Sequence, residues 1–145
     1  MKKFSFPLES VLKYRKYIQK QAELDLGKAL AAEKKIENQL QELASQKVSM
    51  NAQVRGLTDF NEITKANRFY EFLEQQKNYL LAELTKAKLV SEKKRTVLRE
   101  AMKKTNSLQK LRDKLFADYK NESLTEDFNI ADDMTNARSA RKINL

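Results

Sequence analysis

The sequence predicts an all-α protein: two long helices forming an antiparallel coiled-coil hairpin, with a frayed C-terminal tail. Three observations lead there. The 145 residues include only two Gly and one Pro, too few for the turns of a sheet-rich or compact α/β fold. Lys, Leu, Ala and Glu lead the composition, as they do in long helices and coiled coils. Apolar residues recur in alternating steps of four and three along most of the chain, which is a heptad pattern.

Helix one is expected over about residues 7–57. Pro7 lacks a backbone donor, so it belongs in a first helical turn, where that donor would be free anyway. The seam then runs Leu8, Leu12, Arg15, Gln19, Ala22, Leu26, Ala29, Glu33, Ile36, Leu40, Leu43, Lys47, Met50, Val54, Leu57. Val11, Ile18 and Ala32 on the adjoining position widen the expected buried face. Arg15, Gln19, Glu33 and Lys47 weaken the seam while helping to fix register and partner. Gly27, in mid-helix, costs about 1 kcal/mol relative to Ala and suggests a close helix approach or a slight bend.

The turn is expected at about residues 56–61, where Gly56 can end a helix and Asp59 with Glu62 has capping-box spacing. Helix two follows over about residues 60–120, its seam running through Ala66, Tyr70, Leu73, Lys77, Leu80, Leu84, Ala87, Ser91, Lys94, Leu98, Ala101, Thr105, Leu108, Arg112, Leu115 and Tyr119. Val90, Val97 and Leu111 flank it, and the pattern is untidy from Ser91 to Thr105. At about 1.5 Å per residue the helices would be roughly 75 and 90 Å long. Neither is stable alone, so each must bury its stripe, and a short turn makes the other helix the nearest partner. Facing residue numbers should then sum to about 120, a consequence of the turn position, placing Leu40 near Leu80, Ala22 near Leu98 and Leu12 near Leu108. Residues 1–120 form the hairpin, and 121–145 a charged, partly disordered tail in which Leu124, Phe128 and Ala131 leave room for a further helical turn or two.

Composition also closes off chemistry. With neither Cys nor His, the usual zinc ligand sets, disulfides, a thiol nucleophile and a His general base are all missing, so most common enzyme chemistries are closed and no cofactor is expected. Apolar runs such as Tyr79 to Ala82 are no longer than four residues, far below the roughly 20 that span a bilayer. The N-terminus turns polar before a signal-peptide core could form, so a cytoplasmic protein is expected.

Charge is uneven. Residues 1–20 carry six basic and one acidic side chain, and residues 86–114 eleven basic and three acidic. An antiparallel hairpin brings these stretches to one basic end, which either docks on an acidic surface or is simply a solvated coiled-coil flank. Nucleic acid is not an expected partner, because no aromatics interleave the basic run and no recognition motif is present. Phe4 and Phe6 suit a hydrophobic plug against Leu115 and Phe116. Phe69, Tyr70, Phe72 and Leu73 cannot all face helix one. Phe69, Leu73, Gln76 and Leu80 fall on one stripe, which is either an exposed partner surface or packed against the wide face of helix one.

The opening Phe4-x-Phe6-x-Leu8-Glu9-x-Val11-Leu12-x-x-Arg15, continuing through Ala22, Leu26 and Ala29, resembles the start of the FliJ family of flagellar type III export proteins. Phe69-x-x-x-Leu73-Glu74 past the turn and the charged tail with Asp132-Asp133 and Arg138 are similar in kind. The resemblance implies an antiparallel coiled coil like the central stalk of rotary ATPases. It implies a non-enzymatic protein that engages the hexameric flagellar export ATPase (FliI), the export gate protein FlhA and export chaperones. Such a protein would act as a monomer, associated with the inner face of the cytoplasmic membrane at the flagellar base through its partners only. It places gate binding on Phe69, Leu73, Gln76 and Leu80. Gln76 and Leu80 depart from the small and polar residues of the family pattern, as Tyr17 and Lys20 depart from more acidic ones. The basic end, with Lys13, Arg15, Lys16, Lys93, Lys94, Arg95 and Arg99, is then the expected ATPase contact. The competing function is a generic coiled-coil adaptor or spacer whose seam pairs with other chains, followed by a nucleic-acid-binding coiled coil.

Overall fold

The computed structural model describes residues 2–143. Two long helices pack against each other, α1 spanning Glu9–Val54 and α2 spanning Phe60–Ile143, and no strand occurs among the described residues. Before α1, Pro7 and Leu8 form a turn in which the Glu9 N–H donates to the Phe6 carbonyl at 3.1 Å, and the Leu12 N–H to Leu8 carbonyl bond follows at 2.9 Å. Glu9 in the first turn lies where the helix dipole favours a negative charge.

The break between the helices rests on two residues. Gly56 takes a φ of 83°, a left-handed conformation that side chains with a Cβ adopt only at a cost, and the Leu57 N–H closes back on the Val54 carbonyl at 3.1 Å. Asp59 then caps α2: its Oδ1 accepts from the Asn61 N–H at 3.0 Å, and its carbonyl accepts the first helical bond, from Ile63, at 3.0 Å.

The chain divides into two compact units, Met1–Gln19 with Ala101–Leu145, and Lys20–Glu100. In the first, Leu12 is 1% exposed and is the one large side chain fully buried among the described residues, with Phe6, Ala101 and Thr105 also buried. Thr105 satisfies its hydroxyl by donating to the Ala101 carbonyl at 3.0 Å. Phe4 packs its ring against Phe116 and Tyr119 with centroids 5.1 and 5.5 Å apart, the Arg112 guanidinium lies over it, and the Tyr119 hydroxyl donates to the Lys2 carbonyl at 2.7 Å. Glu9 accepts from Arg112 at 3.0 Å. The start of the chain is thus pinned to α2 by an aromatic cluster and one ion pair.

In the second unit the buried positions are mostly small: Ala22, Ala29, Ala66 and Ser91, with Leu73. Small seam residues let the helices approach closely and leave large side chains at the margins. Ser91 bonds Glu33 across the seam and also donates to the Lys88 carbonyl at 3.0 Å. The Tyr70 hydroxyl donates to Asn51 at 2.6 Å. Within the second unit the facing numbers add to 121 for Asn51 with Tyr70 and 124 for Glu33 with Ser91, and within the first to between 120 for Phe4 with Phe116 and 123 for Phe4 with Tyr119.

Three expectations change. The buried face is not widened: Val11, Ala32, Val90, Val97 and Leu111 are all exposed and Ile18 is half-buried, because two helices cover only the seam and the neighbouring position needs a third element to bury it. Gly27 mediates no close approach, since a Cβ built there meets nothing within 4 Å. The segment 121–145, expected as a charged, partly disordered tail, is helical as far as Ile143, almost every side chain up to Lys142 being exposed; residues 144 and 145 lie outside the described residues. The helix continues because no Gly or Pro interrupts it, and Arg141 and Lys142 complement its C-terminal dipole.

Candidate partner-binding surface

Just past the turn, α2 presents its densest group of aromatic residues. Phe69 and Gln76 stand seven apart, each one position before a seam residue, and both are half-buried. Leu73 and Leu80 are themselves seam positions, seven apart in line with Ala66, and Leu73 is only 4% exposed. Leu73 forms part of a groove floor with Leu40, Leu43 and Tyr70, whereas Gln76 and Leu80 line a different groove with Ala32, Ile36 and Gln39 of α1. The four predicted residues therefore do not make one exposed stripe. Leu73 is core, since the helix pair covers its position, while Gln76 and Leu80 line the helix–helix crevice and Phe69 is half-buried beside the seam.

Two exposed aromatics lie outside the predicted stripe. Phe72 is 51% and Tyr79 61% exposed, seven residues apart and one step outward from the crevice, and the Phe72 ring centroid lies 6.4 Å from that of Phe69. Read as i, i+3, i+7, i+10, the run Phe69, Phe72, Gln76, Tyr79 is an outward helical stripe as regular as the predicted one. A stripe displaced by one position is the signal that could have found it.

The basic residues fall in two groups. In the unit containing the N-terminus, Lys13 and Lys16 are exposed and Arg15 is half-buried at the seam. In the Lys20–Glu100 unit, Lys93, Arg95 and Arg99 are exposed and Lys94 half-buried. Arg99 reaches Glu92 at 3.0 Å, with both side chains more than half in solvent, so this pair contributes little to stability and leaves the arginine available to an acidic partner.

Among the described residues no group of carboxylates could hold a metal ion, and no helix is long and apolar enough to cross a membrane. The grooves named above are shallow crevices between helices, suited to protein side chains. No curated protein and no solved structure matches the chain. The family model described as Flagellar FliJ protein matches residues 4–144. With nearly its whole length covered by that model, the chain belongs to the FliJ family, export-related proteins of the flagellum.

Proposed function

We propose that this protein couples the flagellar export ATPase (FliI) to the export gate protein FlhA and assists export chaperones, acting in the cytoplasm at the base of the flagellum. Family membership supports the setting. The observation that carries the coupling reading is the exposed aromatic run at the start of α2, where Phe72 and Tyr79 stand in solvent beside Phe69 with no core role to explain them. Aromatic side chains of this kind are frequent anchors of protein interfaces, because they bury much area for little lost rotamer freedom. Gate binding is assigned to Phe69, Phe72, Gln76 and Tyr79, with Leu80 at the crevice edge and Leu73 holding the helix pair beneath them. ATPase binding is assigned to two basic groups, Lys13, Arg15 and Lys16 in one unit and Lys93, Lys94, Arg95 and Arg99 in the other, each of which would meet acidic residues with a strong dependence on salt.

The two surfaces are tested by pull-down of purified gate protein and ATPase with the same variants. Phe69→Ala with Phe72→Ala should abolish gate binding and leave ATPase binding intact. Lys93→Glu, Lys94→Glu, Arg95→Glu and Arg99→Glu together should do the reverse. Gate binding that survives loss of both phenylalanines would overturn the assignment of that surface.

A further inference from the structure

The exposed residues beside the seam make a surface of their own in the Lys20–Glu100 unit. Ala32, Val90 and Val97 each stand one position before a seam residue, and all three are exposed. Ala32 lines a groove with Gln76 and Glu83, and Val90 and Val97 follow Glu83 at steps of seven, so they continue the same face of the helix pair. One position further out stand Lys28 and Lys35 on α1 and Lys86 and Lys93 on α2, all exposed. The strip is short and apolar, with Asp25 seven residues before Ala32 and Glu83 seven before Val90 at its ends, and it is edged by cations, of which Lys86 reaches Glu83 at 3.5 Å.

Beyond residue 120, α2 carries the complementary pattern. Leu124, Phe128 and Ala131 recur at i, i+4 and i+7, and Leu124 and Phe128 are 68% and 71% exposed. Asp127 borders this stripe on one side and Asp132 on the other. The line that continues the α2 seam here is polar, Glu122, Glu126, Asn129 and Asp133, so the apolar stripe lies on the opposite side of the helix from the seam. Between 121 and 137 there are five carboxylates and no cation.

We infer that free copies of this chain associate by seating the aspartate-edged stripe Leu124–Phe128–Ala131 of one copy on the lysine-edged strip Ala32–Val90–Val97 of another. Strip on strip would set lysines against lysines, and stripe on stripe would set Asp127 and Asp132 against the same residues, whereas stripe on strip pairs opposite charges along both edges of an apolar contact. The interaction goes beyond coupling to the ATPase and gate. Binding of a partner at either surface would compete with it.

The test is multi-angle light scattering of the full chain over a concentration series at low and high salt. The unaltered chain should rise above monomer mass at low salt and return to it at high salt, because the bordering charges are solvated and screened. Asp127→Lys with Asp132→Lys, and separately Lys28→Glu with Lys35→Glu and Lys86→Glu, should each weaken association by about tenfold or more. Circular dichroism should show unchanged helicity in both, since the lysines and aspartates replaced are exposed and the ion pair of Lys86 with Glu83 at 3.5 Å is solvated. An equimolar mixture of the two charge-reversed variants should associate again. Monomer mass at every concentration, association insensitive to both reversals, or a mixture that stays monomeric would each overturn the inference, the last by excluding stripe-on-strip pairing between copies.

Discussion

Truncating Leu73 separates core from interface at the aromatic segment of α2. Leu73→Ala removes three carbons from a side chain that is 4% exposed, a transfer loss of about 2.4 kcal/mol at about 0.8 per buried carbon. A rigid core would add a cavity contribution and take the total toward 5 kcal/mol. Here the residue also borders an open groove with Leu40, Leu43 and Tyr70, so water and neighbouring side chains can fill the space, which keeps the cost near the lower end, about 2 to 3 kcal/mol. For a chain of this length about 1 kcal/mol corresponds to roughly 3 to 4 °C, so the melting temperature should fall by about 6 to 12 °C. Phe72→Ala removes a larger side chain that is half in solvent, and should shift the transition by no more than about 2 °C, as surface substitutions usually do. The assay is thermal unfolding followed by circular dichroism, with gate pull-down on the same samples. Gate binding should be lost with Phe72→Ala while stability is kept. Equal destabilisation by the two substitutions, or a neutral Leu73→Ala, would refute the placement of Leu73 beneath the surface.

Other substitutions test the helices themselves. Gly27→Ala should stabilise by about 1 kcal/mol, because the position is mid-helix and the new methyl meets nothing, and the melting temperature reads the gain directly. Gly56→Ala, at a φ of 83°, should instead cost about 1 to 2 kcal/mol in the same measurement. Glu9→Gln removes the ion pair to Arg112, whose partners are 41% and 34% exposed; its cost should stay below about 1 kcal/mol and shrink further as salt is raised in denaturant titrations.

The hairpin was legible because its causes are local. Gly56, Asp59 and the four-three spacing act through neighbouring residues, and the turn position alone fixed which residue numbers face each other, as Tyr70 with Asn51 and Arg112 with Glu9 show. The stretch from Ser91 to Thr105 breaks the apolar pattern because small polar residues fill part of its seam. Ser91 and Thr105 are small enough to be buried in a close helix pair, and each ties its hydroxyl to a carbonyl of its own helix. The functional surface was less legible. Seam and surface alternate every one or two residues, so Leu73 and Phe72 have opposite fates on adjacent positions. Spacing also could not reveal that Val90 and Val97 would remain uncovered, since that depends on how many helices pack and not on the pattern of either one.

ATP turnover by the cognate export ATPase, measured with and without this chain, tests the coupling function most directly. The purified protein should raise turnover at low salt, and the quadruple reversal of Lys93, Lys94, Arg95 and Arg99 to Glu should remove that increase while helicity is retained. Turnover that is the same with and without the unaltered chain would contradict a coupling role.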